Sequence, residues 1–293
     1  MQRTGGMNLQ VSVVVPTCGR PALLARCLQA LESQSLPRDQ YEVIVAEDRH
    51  RDGPATARNQ GWRRARAPIV AFTDDDCIPD HNWLRRGLEA LAGGAHAVCG
   101  RIVMPLTGAP TDYERDAQGL ERAEFVTANC FVRKFMLERV GGFDERFRLA
   151  WREDSDLHFG LLAQGARIVR EPRAIVVHPV RPANWGVSLR QQRKVMFDAL
   201  LFKKHPRLYR ERIRAAPRWD YYVIVASLLV APLWTPAWLA WLLFTGRFFV
   251  QRLHGTSRAP AHLLEMILTS IAIPPVAVFW RLLGALRFKV AFL

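Results

Sequence analysis

Three consecutive aspartates are the residues that most directly suggest chemistry. Asp74, Asp75 and Asp76 follow the mostly apolar run "PIVAFT" (68–73) in a chain whose formal net charge is +14. Adjacent carboxylates repel one another unless a cation lies among them, and Mg2+ and Mn2+ prefer oxygen ligands of this kind. A helix cap is the alternative, but capping explains one aspartate, Asp76 or Asp80, and not three. The triplet therefore predicts a divalent metal site.

A second acidic group opens the helical pattern "EDSDLHFGLLAQG" (153–165). At 100° per residue, Asp156 points about 200° away from Asp154, so the two cannot both face one site. A carboxylate at this position could take a proton from an attacking hydroxyl as a general base. The alternative is that these acids only complement the dipole of the first helical turn.

The elements that must position these acids follow from the apolar pattern. The β-branched run "VSVVV" (11–15) indicates a strand buried on both faces, and strand patterns over 41–48, 68–73 and 96–104 alternate with helical ones. This order predicts an α/β fold with a doubly wound, mostly parallel sheet. Ligands of such sheets bind beyond the carboxyl ends of the strands, where the "PTCGR" turn, Glu47-Asp48 and the triplet fall.

Several ordered motifs resemble glycosyltransferase family 2, inverting enzymes with the nucleotide-sugar-binding GT-A fold, here of a membrane-anchored bacterial type. The resemblance covers about residues 11–205. An Asp-x-Asp pair alone is a weak signal, but the ordered set is specific. The matching segments are "VSVVVPTCGR", "VIVAEDRHRDGPATARNQG", "FTDDDCIP", "GGFDERF" and "REDSDL".

The resemblance implies a set of donor-binding residues. It places the loop of Pro16, Thr17 and Arg20 against the nucleotide. Asp48 or its neighbour Glu47 would accept a hydrogen bond from the base, and the sequence leaves open which of the two acts. The remaining implied contacts are Arg58 with the base or the diphosphate, and Asp74 and Asp75 with the nucleotide sugar, Asp75 at the ribose.

The resemblance also implies the metal ligands and the acceptor side. Asp74 and Asp76 would form the Asp-x-Asp pair, with Asp76 as the direct ligand, and His178 after "AIVVH" would complete the metal and diphosphate site. Asp154 matches the general base, and Glu153 would lie on the acceptor side. Trp151 could stack on an acceptor sugar, although a core position is the alternative. An ordinary histidine at a strand end is the alternative for His178.

These assignments predict the cofactors, the partners and the reaction. The expected cofactors are Mg2+ or Mn2+ and a nucleotide-sugar donor, with a UDP-sugar expected first. The expected acceptor is lipid-linked or a cell-surface glycan. The Gln-x-x-Arg-Trp motif of processive synthases is absent from "LRQQRKVMFDALLFKKHP" (189–206), so we expect transfer of a single sugar.

Two other functions remain as alternatives. A nucleotidyltransferase on a similar sheet would also use metal-binding aspartates, but the glycine-rich, lysine-containing phosphate loop expected of one is missing. An inactive glycan-assembly scaffold would not need to retain the carboxylates of Asp74, Asp76 and Asp154. Turnover of a nucleotide sugar discriminates among the three.

The C-terminal third of the chain has a different character. Residues 181–218 carry eleven Lys or Arg and two acids, a net charge of +9, and residues 221–244 contain no charged residue. We predict a GT-A domain over 1–215, with basic interfacial helices at about 186–215. A membrane anchor over 216–293 would follow, with transmembrane segments at 221–244 and 263–283.

The positive-inside rule would place the catalytic domain and the C-terminus on the cytoplasmic side of the inner membrane. The basic block can also bind anionic lipid headgroups, so membrane lipids are expected partners. It has no recognisable nucleic-acid reading motif, so no nucleic acid is expected. Buried core helices, or runs that re-enter without spanning, are the alternatives for the two apolar segments.

The five cysteines form no CxxC pair, and all five lie in the N-terminal half. An odd number without metal-ligand spacing predicts reduced thiols of a cytosolic compartment, and neither a disulfide framework nor a zinc site.

Overall fold

The computed structural model describes residues 9–292, which form two compact units. The N-terminal unit comprises residues 9–105 and 120–179, and the C-terminal unit comprises residues 106–119 and 180–292. The division therefore falls at residue 179 rather than near the expected position 215, because the basic segment after residue 180 packs with the apolar helices. Residues 106–119 belong to the C-terminal unit although both of their ends continue into the N-terminal unit.

The N-terminal unit is built on one seven-stranded sheet with the strand order β2-β1-β3-β6-β5-β7-β4. The strands are β1 Val11–Thr17, β2 Tyr41–Glu47, β3 Ile69–Phe72, β4 Ile78–Pro79, β5 Ala97–Val103, β6 Cys130–Arg133 and β7 Ile168–Val177. The helices of this unit are α1 Pro21–Glu32, α2 Pro54–Arg64, α3 Trp83–Ala92, α5 Lys134–Val140 and α6 Glu153–Ala163.

The first half of the sheet is parallel, as the βαβ pattern predicts. β1 is buried along its whole length and pairs in parallel with β2 on one side and β3 on the other. Helix α2 packs closely on β1 because Gly61 has no side chain: a Cβ there would lie 2.3 Å from Cγ1 of Val14. This close packing sets the distance between α2 and the sheet. It thereby also positions Arg58, which lies one turn earlier in the same helix.

The second half of the sheet is mixed. β6 pairs antiparallel with both β3 and β5, β7 runs parallel to β5, and the two-residue β4 pairs antiparallel with β7. The predicted α/β class is confirmed, but the strand β6 was not identified from the sequence. Its four residues, "CFVR", are too few to show a period.

The C-terminal unit is helical. Its helices are α4 Asp112–Gln118, α7 Val187–Gln191, α8 Met196–Lys204, α9 Pro206–Arg212, α10 Trp219–Val230, α11 Pro236–Leu253 and α12 Pro260–Phe288. The expectation of one continuous helix over 221–244 is wrong: the run ends as α10 at Val230 and resumes as α11 at Pro236. Pro232 and Pro236 account for the break, since proline cannot donate the backbone hydrogen bond that a continuous helix needs.

Within residues 9–292, α12 is the one helix whose length and apolar composition would suffice to cross a membrane. It continues through Pro274 and Pro275 without a break. The run 263–283 predicted from the sequence lies inside it.

Candidate active site

The aspartate triplet lies at the carboxyl ends of β1 and β3, as the sheet topology predicts. Thr17, the last residue of β1, donates its hydroxyl to Oδ2 of Asp75 at 2.6 Å, and Arg20 donates Nε to the same oxygen at 3.0 Å. Nη2 of Arg20 also lies 2.7 Å from Oδ1 of Asp75. Burial raises the pKa of the Asp75 carboxyl, although Thr17 and Arg20 oppose the increase. Asp75 thereby holds Thr17 and Arg20 in position at the two ends of the short loop between β1 and α1, which we call the donor loop.

Pro16 takes a different place from the predicted one. It is a buried residue of β1, paired with Ala46 of β2, so it lies in the sheet and not in the loop. The loop itself begins at Cys18. The predicted contact of Pro16 with the nucleotide stays a prediction.

Arg58 is the centre of a buried charge cluster. Its Nη2 donates to Oδ1 of Asp74 at 2.7 Å, and its Nη1 donates to Oε1 of Glu153 at 3.1 Å and lies 4.0 Å from Oδ1 of Asp154. Burial lowers the pKa of Arg58, but the three carboxylates outweigh it and raise the pKa above its usual value. One guanidinium thus joins the aspartate triplet to an acidic motif about eighty residues later in the chain.

The two adjacent acids of α6 have different surroundings. The Glu153 side chain is only 4% exposed and faces Arg58, and burial together with the Asp154 charge raises its pKa to about 7. Glu153 is thus a buried partner of Arg58, and its contact with an acceptor stays a prediction. Asp154 keeps a quarter of its side chain exposed, and burial raises its pKa while Arg58 opposes the increase.

Thr127 is a site residue that sequence reasoning missed. Its hydroxyl donates to Oδ1 of Asp154 at 2.5 Å, and its backbone N–H donates to Oδ2 at 3.2 Å. Thr127 opens a short 3₁₀ turn before β6. No spacing in "FVTANC" marks it, because the contact depends on a strand pairing that the sequence does not reveal.

The segment "GGFDERF" is anchored by the residue after Arg58. The Asn59 amide donates to the Phe143 carbonyl and to Oε1 of Glu145, both at 2.8 Å, and its oxygen accepts the Phe143 N–H at 2.9 Å. Gly142 has a φ of 74°, and a Cβ there would lie 2.5 Å from the Asn59 oxygen. Arg58 and Asn59 therefore have different roles: Arg58 binds the carboxylates, and Asn59 fixes the loop that precedes α6.

Glu47 and Asp48 both line a cavity of about 490 Å3 at the end of β2. The Asp48 carboxylate accepts the backbone N–H groups of Asp52 and Gly53 at 2.8 and 2.9 Å, which closes the turn before α2. Glu47 is exposed and pairs with Arg49 at 2.7 Å. The cavity has the position expected for a nucleotide base, and both acids face it.

A metal-ligand group forms where β4 pairs with β7. Because Ile78 pairs with Val177, Asp76 and Cys77 come next to His178, which follows β7. Ligand atoms of Asp76, Cys77 and His178 lie within 4.8 Å of one another, and Nε2 of His178 is 3.7 Å from Oδ1 of Asp76. Asp74 lies outside this group and donates no ligand to it, since its Oδ1 accepts a hydrogen bond from Arg58; its metal contact stays a prediction.

The donor atoms fit a hard divalent cation. The group holds one carboxylate, one thiol and one imidazole, and so lacks the two or more cysteines of structural zinc sites. Nδ1 of His178 is buried and accepts or donates no hydrogen bond within residues 9–292. A carboxylate and an imidazole leave most coordination positions open, as in sites where Mg2+ or Mn2+ is shared with substrate phosphates.

Trp151 lies at the approach to α6. It is half-buried, and the Arg152 guanidinium lies over its ring at 4.5 Å from the centroid. Arg152 has a φ of 74° directly before the helix, which turns the chain into α6. Stacking of Trp151 on an acceptor sugar stays a prediction.

Comparisons with known proteins agree with this geometry. Residues 46–147 match the model of the family "Glycosyl transferase family 2". The chain is 28% identical over 222 residues to "Glycosyltransferase AglE" of Haloferax volcanii, an alignment covering 63% of this chain and 71% of the relative. It is 30% identical over 210 residues to "Pre-mycofactocin glycosyltransferase" of Mycobacterium tuberculosis, where it spans less than half of the relative, 44%, and 61% of this chain.

The solved structures show the same fold. The crystal structure of S. aureus TarS 1–349 in complex with UDP-GlcNAc superimposes with a TM-score of 0.52 at 15% identity, covering 96% of this chain and 93% of that one. The sheet, the cluster at its edge and these matches define a glycosyltransferase of the GT-A fold. The chain is similar to glycosyltransferase family 2, whose model matches residues 46–147.

Proposed function

We propose that the protein transfers one sugar from a UDP-sugar to a lipid-linked or cell-surface glycan acceptor with inversion at the anomeric carbon. The observation that carries the proposal is the Arg58 cluster, which brings Asp74 of the donor motif together with Asp154, the candidate base. Complexes of S. aureus TarS with UDP and with UDP-GlcNAc support the choice of nucleotide. A relative named "Poly(ribitol-phosphate) beta-glucosyltransferase" from Bacillus spizizenii supports a polymeric glycan acceptor.

The donor would bind along the edge formed by β1, β2 and β3. The base would enter the cavity beside Glu47 and Asp48, with the diphosphate directed toward Arg20 and the aspartate triplet. Arg20 is partly exposed and already oriented by Asp75, so it can meet the phosphates without rearranging the buried carboxylate. Its fixed positive charge would stabilise the charge that develops on the leaving diphosphate.

Asp76 and His178 would hold a divalent cation beside the diphosphate. When bound, such a cation acts as a Lewis acid that stabilises the departing nucleoside diphosphate. Nε2 of His178 lies 3.7 Å from Oδ1 of Asp76, so the imidazole and the carboxylate could both reach one cation. Mn2+ suits this mixed oxygen and nitrogen set at least as well as Mg2+.

Asp154 would serve as the general base. The acceptor hydroxyl oxygen forms a bond to the anomeric carbon as the bond to the diphosphate oxygen breaks, and the hydroxyl proton moves to the Asp154 carboxylate. A single displacement of this kind inverts the anomeric centre. Burial raises the proton affinity of Asp154, and Thr127 orients its carboxylate, so the base is both stronger and better positioned than an exposed aspartate.

We further propose that the protein works at the cytoplasmic face of the inner membrane, where nucleotide sugars are available. The C-terminal unit carries many exposed large apolar side chains beside basic segments, which is the composition of a membrane-associated surface. A lipid-linked acceptor would be presented at the same face.

The function is tested with the full chain in lipid nanodiscs, a panel of UDP-, GDP- and dTDP-sugars, and Mn2+. Release of UDP and a labelled acceptor product support the proposal, whereas release of pyrophosphate would indicate a nucleotidyltransferase. Asp154→Asn should keep UDP binding and lose roughly 10²- to 10⁴-fold in turnover, because the amide cannot take the proton. A variant that keeps more than about a tenth of the wild-type rate moves the base to another residue.

Two further variants separate the roles. Asp39→Asn, an exposed aspartate outside the site, is the matched control and should leave turnover unchanged. Asp76→Ala should abolish Mn2+-dependent UDP binding while the thermal midpoint stays close to that of the wild type. If Asp76→Ala and chelation with EDTA both leave activity intact, the metal assignment is wrong.

A further inference from the structure

The anchor hairpin, residues 219–253, is too short to cross a bilayer. Helix α10 has 12 residues, which at 1.5 Å per residue is about 18 Å. The first charged residue of the returning leg is Arg247, so its uninterrupted uncharged stretch, 236–246, has a similar length. Tyr221 near the start of α10 contacts Phe248 late in α11, so the two legs are antiparallel and their polar ends lie together. A hydrocarbon core is about 30 Å thick, so this hairpin reaches only a little beyond one leaflet.

The tip of the hairpin is suited to lipid. Leu233 is 91% exposed and Trp234 is 61% exposed, an unusual state for large apolar side chains in water. Few backbone N–H groups at the tip lack a partner: those of Leu233 and Trp234 both donate to the Val230 carbonyl, and Pro232 and Pro236 have none. Each N–H group that is paired or missing lowers the cost of placing a turn in hydrocarbon.

The loop that follows the hairpin is tied to the segment 106–119. The Ser257 N–H donates to the Pro110 carbonyl at 2.7 Å, and Nη2 of Arg252 lies 2.6 Å from Oδ2 of Asp112. Pro110 is five residues from Pro105, which belongs to the N-terminal unit. Five extended residues span at most about 18 Å, less than a hydrocarbon core. The loop after α11 must therefore stay on the side of the membrane that holds the catalytic unit.

Helix α12 is accompanied by cations along its whole length. Near its start, the Gly186 N–H donates to Oε1 of Glu265, and at its end Nζ of Lys203 donates to the Phe288 carbonyl. The segment 187–204 thus follows α12 from end to end, and it carries exposed cations at Arg190, Arg193, Lys203 and Lys204. Lys203 and Lys204 lie at the end of α12, at headgroup level in a spanning arrangement, but Arg190 and Arg193 lie between the two contacts. A spanning α12 would bring these two charges into hydrocarbon, which is costly.

The opposite side of α12 carries an apolar stripe. Exposed side chains recur at helical spacing, which places them on one face; they are Leu264, Ile267, Leu268, Ile271, Phe279, Leu282 and Leu286. An apolar stripe on one face with a basic row behind it is the pattern of a helix that lies in the membrane interface.

We propose that the C-terminal unit is a monotopic anchor: the hairpin enters one leaflet and returns, α12 lies along the interface, and no part of the chain reaches the far side. The inference rests on the membrane association proposed above and replaces the two crossings expected from hydropathy. The anchor binds the cytoplasmic leaflet, since its apolar tip and stripe are combined with cations that suit anionic headgroups.

Labelling of one accessible cysteine tests the topology in spheroplasts that express the full chain. The background is Cys18→Ser, which removes the exposed thiol and keeps the four buried ones. Ala259→Cys reports the loop after α11, and Asp39→Cys is the cytoplasmic control. With an impermeant maleimide, we expect neither variant to be labelled in intact spheroplasts and both to be labelled fully after lysis. Labelling of Ala259→Cys but not Asp39→Cys in intact spheroplasts overturns the monotopic arrangement while leaving the catalytic proposal untouched.

The depth of the hairpin is measured separately with Leu233→Cys carrying an environment-sensitive fluorophore. Lipids with a quencher on the acyl chain should quench Leu233→Cys and leave the same fluorophore at Asp39→Cys unquenched. Recovery of the wild-type chain in the soluble fraction, or an unquenched Leu233→Cys, overturns the anchor itself. Neither measurement depends on turnover, so failure of the anchor and failure of the proposed activity are distinguishable.

Discussion

The two units reverse the usual rule of burial in opposite ways. The N-terminal unit buries charge, with Arg58, Asp75 and Glu153 all nearly inaccessible. The C-terminal unit exposes large apolar side chains, Leu233 to 91% and Leu239 to 72%. Buried charge and exposed apolar surface both reduce stability in water. Each therefore indicates a region whose residues serve binding or catalysis and not folding stability. Under the function proposed above, the buried charges would meet a charged substrate and the exposed apolar surface would meet a lipid leaflet.

A second contrast lies between two buried arginines. Arg58 faces three carboxylates, two of which, Asp74 and Asp154, keep about a quarter of their side chains exposed. Arg281 in α12 lies 3.8 Å from Asp198, and both side chains are almost completely enclosed. The ionic chemistry is the same, but only the first cluster opens to ligands, so only the first can take part in a reaction.

Replacing these arginines gives the largest expected effect. Arg58→Met leaves Asp74, Glu153 and Asp154 without their cation and should reduce turnover by at least about 10²- to 10³-fold. It should also reduce the free energy of unfolding by roughly 3–5 kcal/mol, as for other broken buried pairs. Arg281→Met should lose similar stability and keep the rate per folded molecule. Turnover with the labelled UDP-sugar and urea unfolding measure both, and equal losses of rate in the two variants would contradict the contrast.

Glu153 predicts a pH dependence of intermediate size. Its folded pKa of about 7 lies above the ordinary 4.5, so the native state keeps a proton that the unfolded chain releases between these values. The free energy of unfolding should therefore fall as pH rises from 4.5 to 7, by roughly 1–3 kcal/mol in total. Glu153→Gln should flatten this decline when thermal midpoints are compared at pH 5, 6, 7 and 8.

Glu171 is the matched control for that measurement. Its hydrogen bond with Arg173 lowers the pKa of its carboxyl, so its stabilising effect is present above 4.5 and is lost as pH falls through its lower native pKa. Glu171→Gln should consequently lower the midpoint by a similar amount from pH 5 to 8 without changing the slope. A slope unchanged by Glu153→Gln would mean that Glu153 is ionised in the folded protein.

Replacing two glycines should give the smallest change in the free energy of unfolding. One glycine lies in each unit, so the pair compares how tightly the two units pack. Gly61→Ala forces a methyl group against Val14 and should cost about 1–3 kcal/mol in the free energy of unfolding. Gly246 in α11 has no neighbouring atom within 4 Å of an added Cβ, so Gly246→Ala should stabilise its helix by about 0.5–1 kcal/mol. Urea unfolding of the two variants checks the opposite signs. Destabilisation by Gly246→Ala would mean that α11 packs against something other than lipid.

The sequence predicts the parts of the site that depend on strand ends. The triplet, Thr17, Arg20 and Asp48 all follow parallel strands, and a parallel βαβ order brings such ends to one edge whatever the side chains do. His178 was also placed next to the triplet, although this depended on the family resemblance, since the β4–β7 pairing gives no signal in the sequence.

Other features depend on contacts that no local pattern encodes. Thr127 reaches Asp154 through the strand β6, which is too short to recognise, and Glu153 turns inward only because Arg58 is there to meet it. In the C-terminal unit, hydropathy identified the apolar runs but not their direction. Pro232 and Pro236 indicated the break, yet the tether between Ser257 and Pro110 is a non-local hydrogen bond.

The distribution of thiols gives the unmodified protein a built-in chemical reporter. Cys27, Cys77, Cys99 and Cys130 are buried, and burial raises the pKa of each thiol, so these four resist alkylation. Cys18 is exposed at the first position after β1, between Thr17 and the rest of the donor loop. An alkylating probe applied to the native chain will therefore modify Cys18 first. If the donor binds as proposed, it will cover this loop and slow that modification, so donor occupancy can be followed by mass spectrometry without changing a residue.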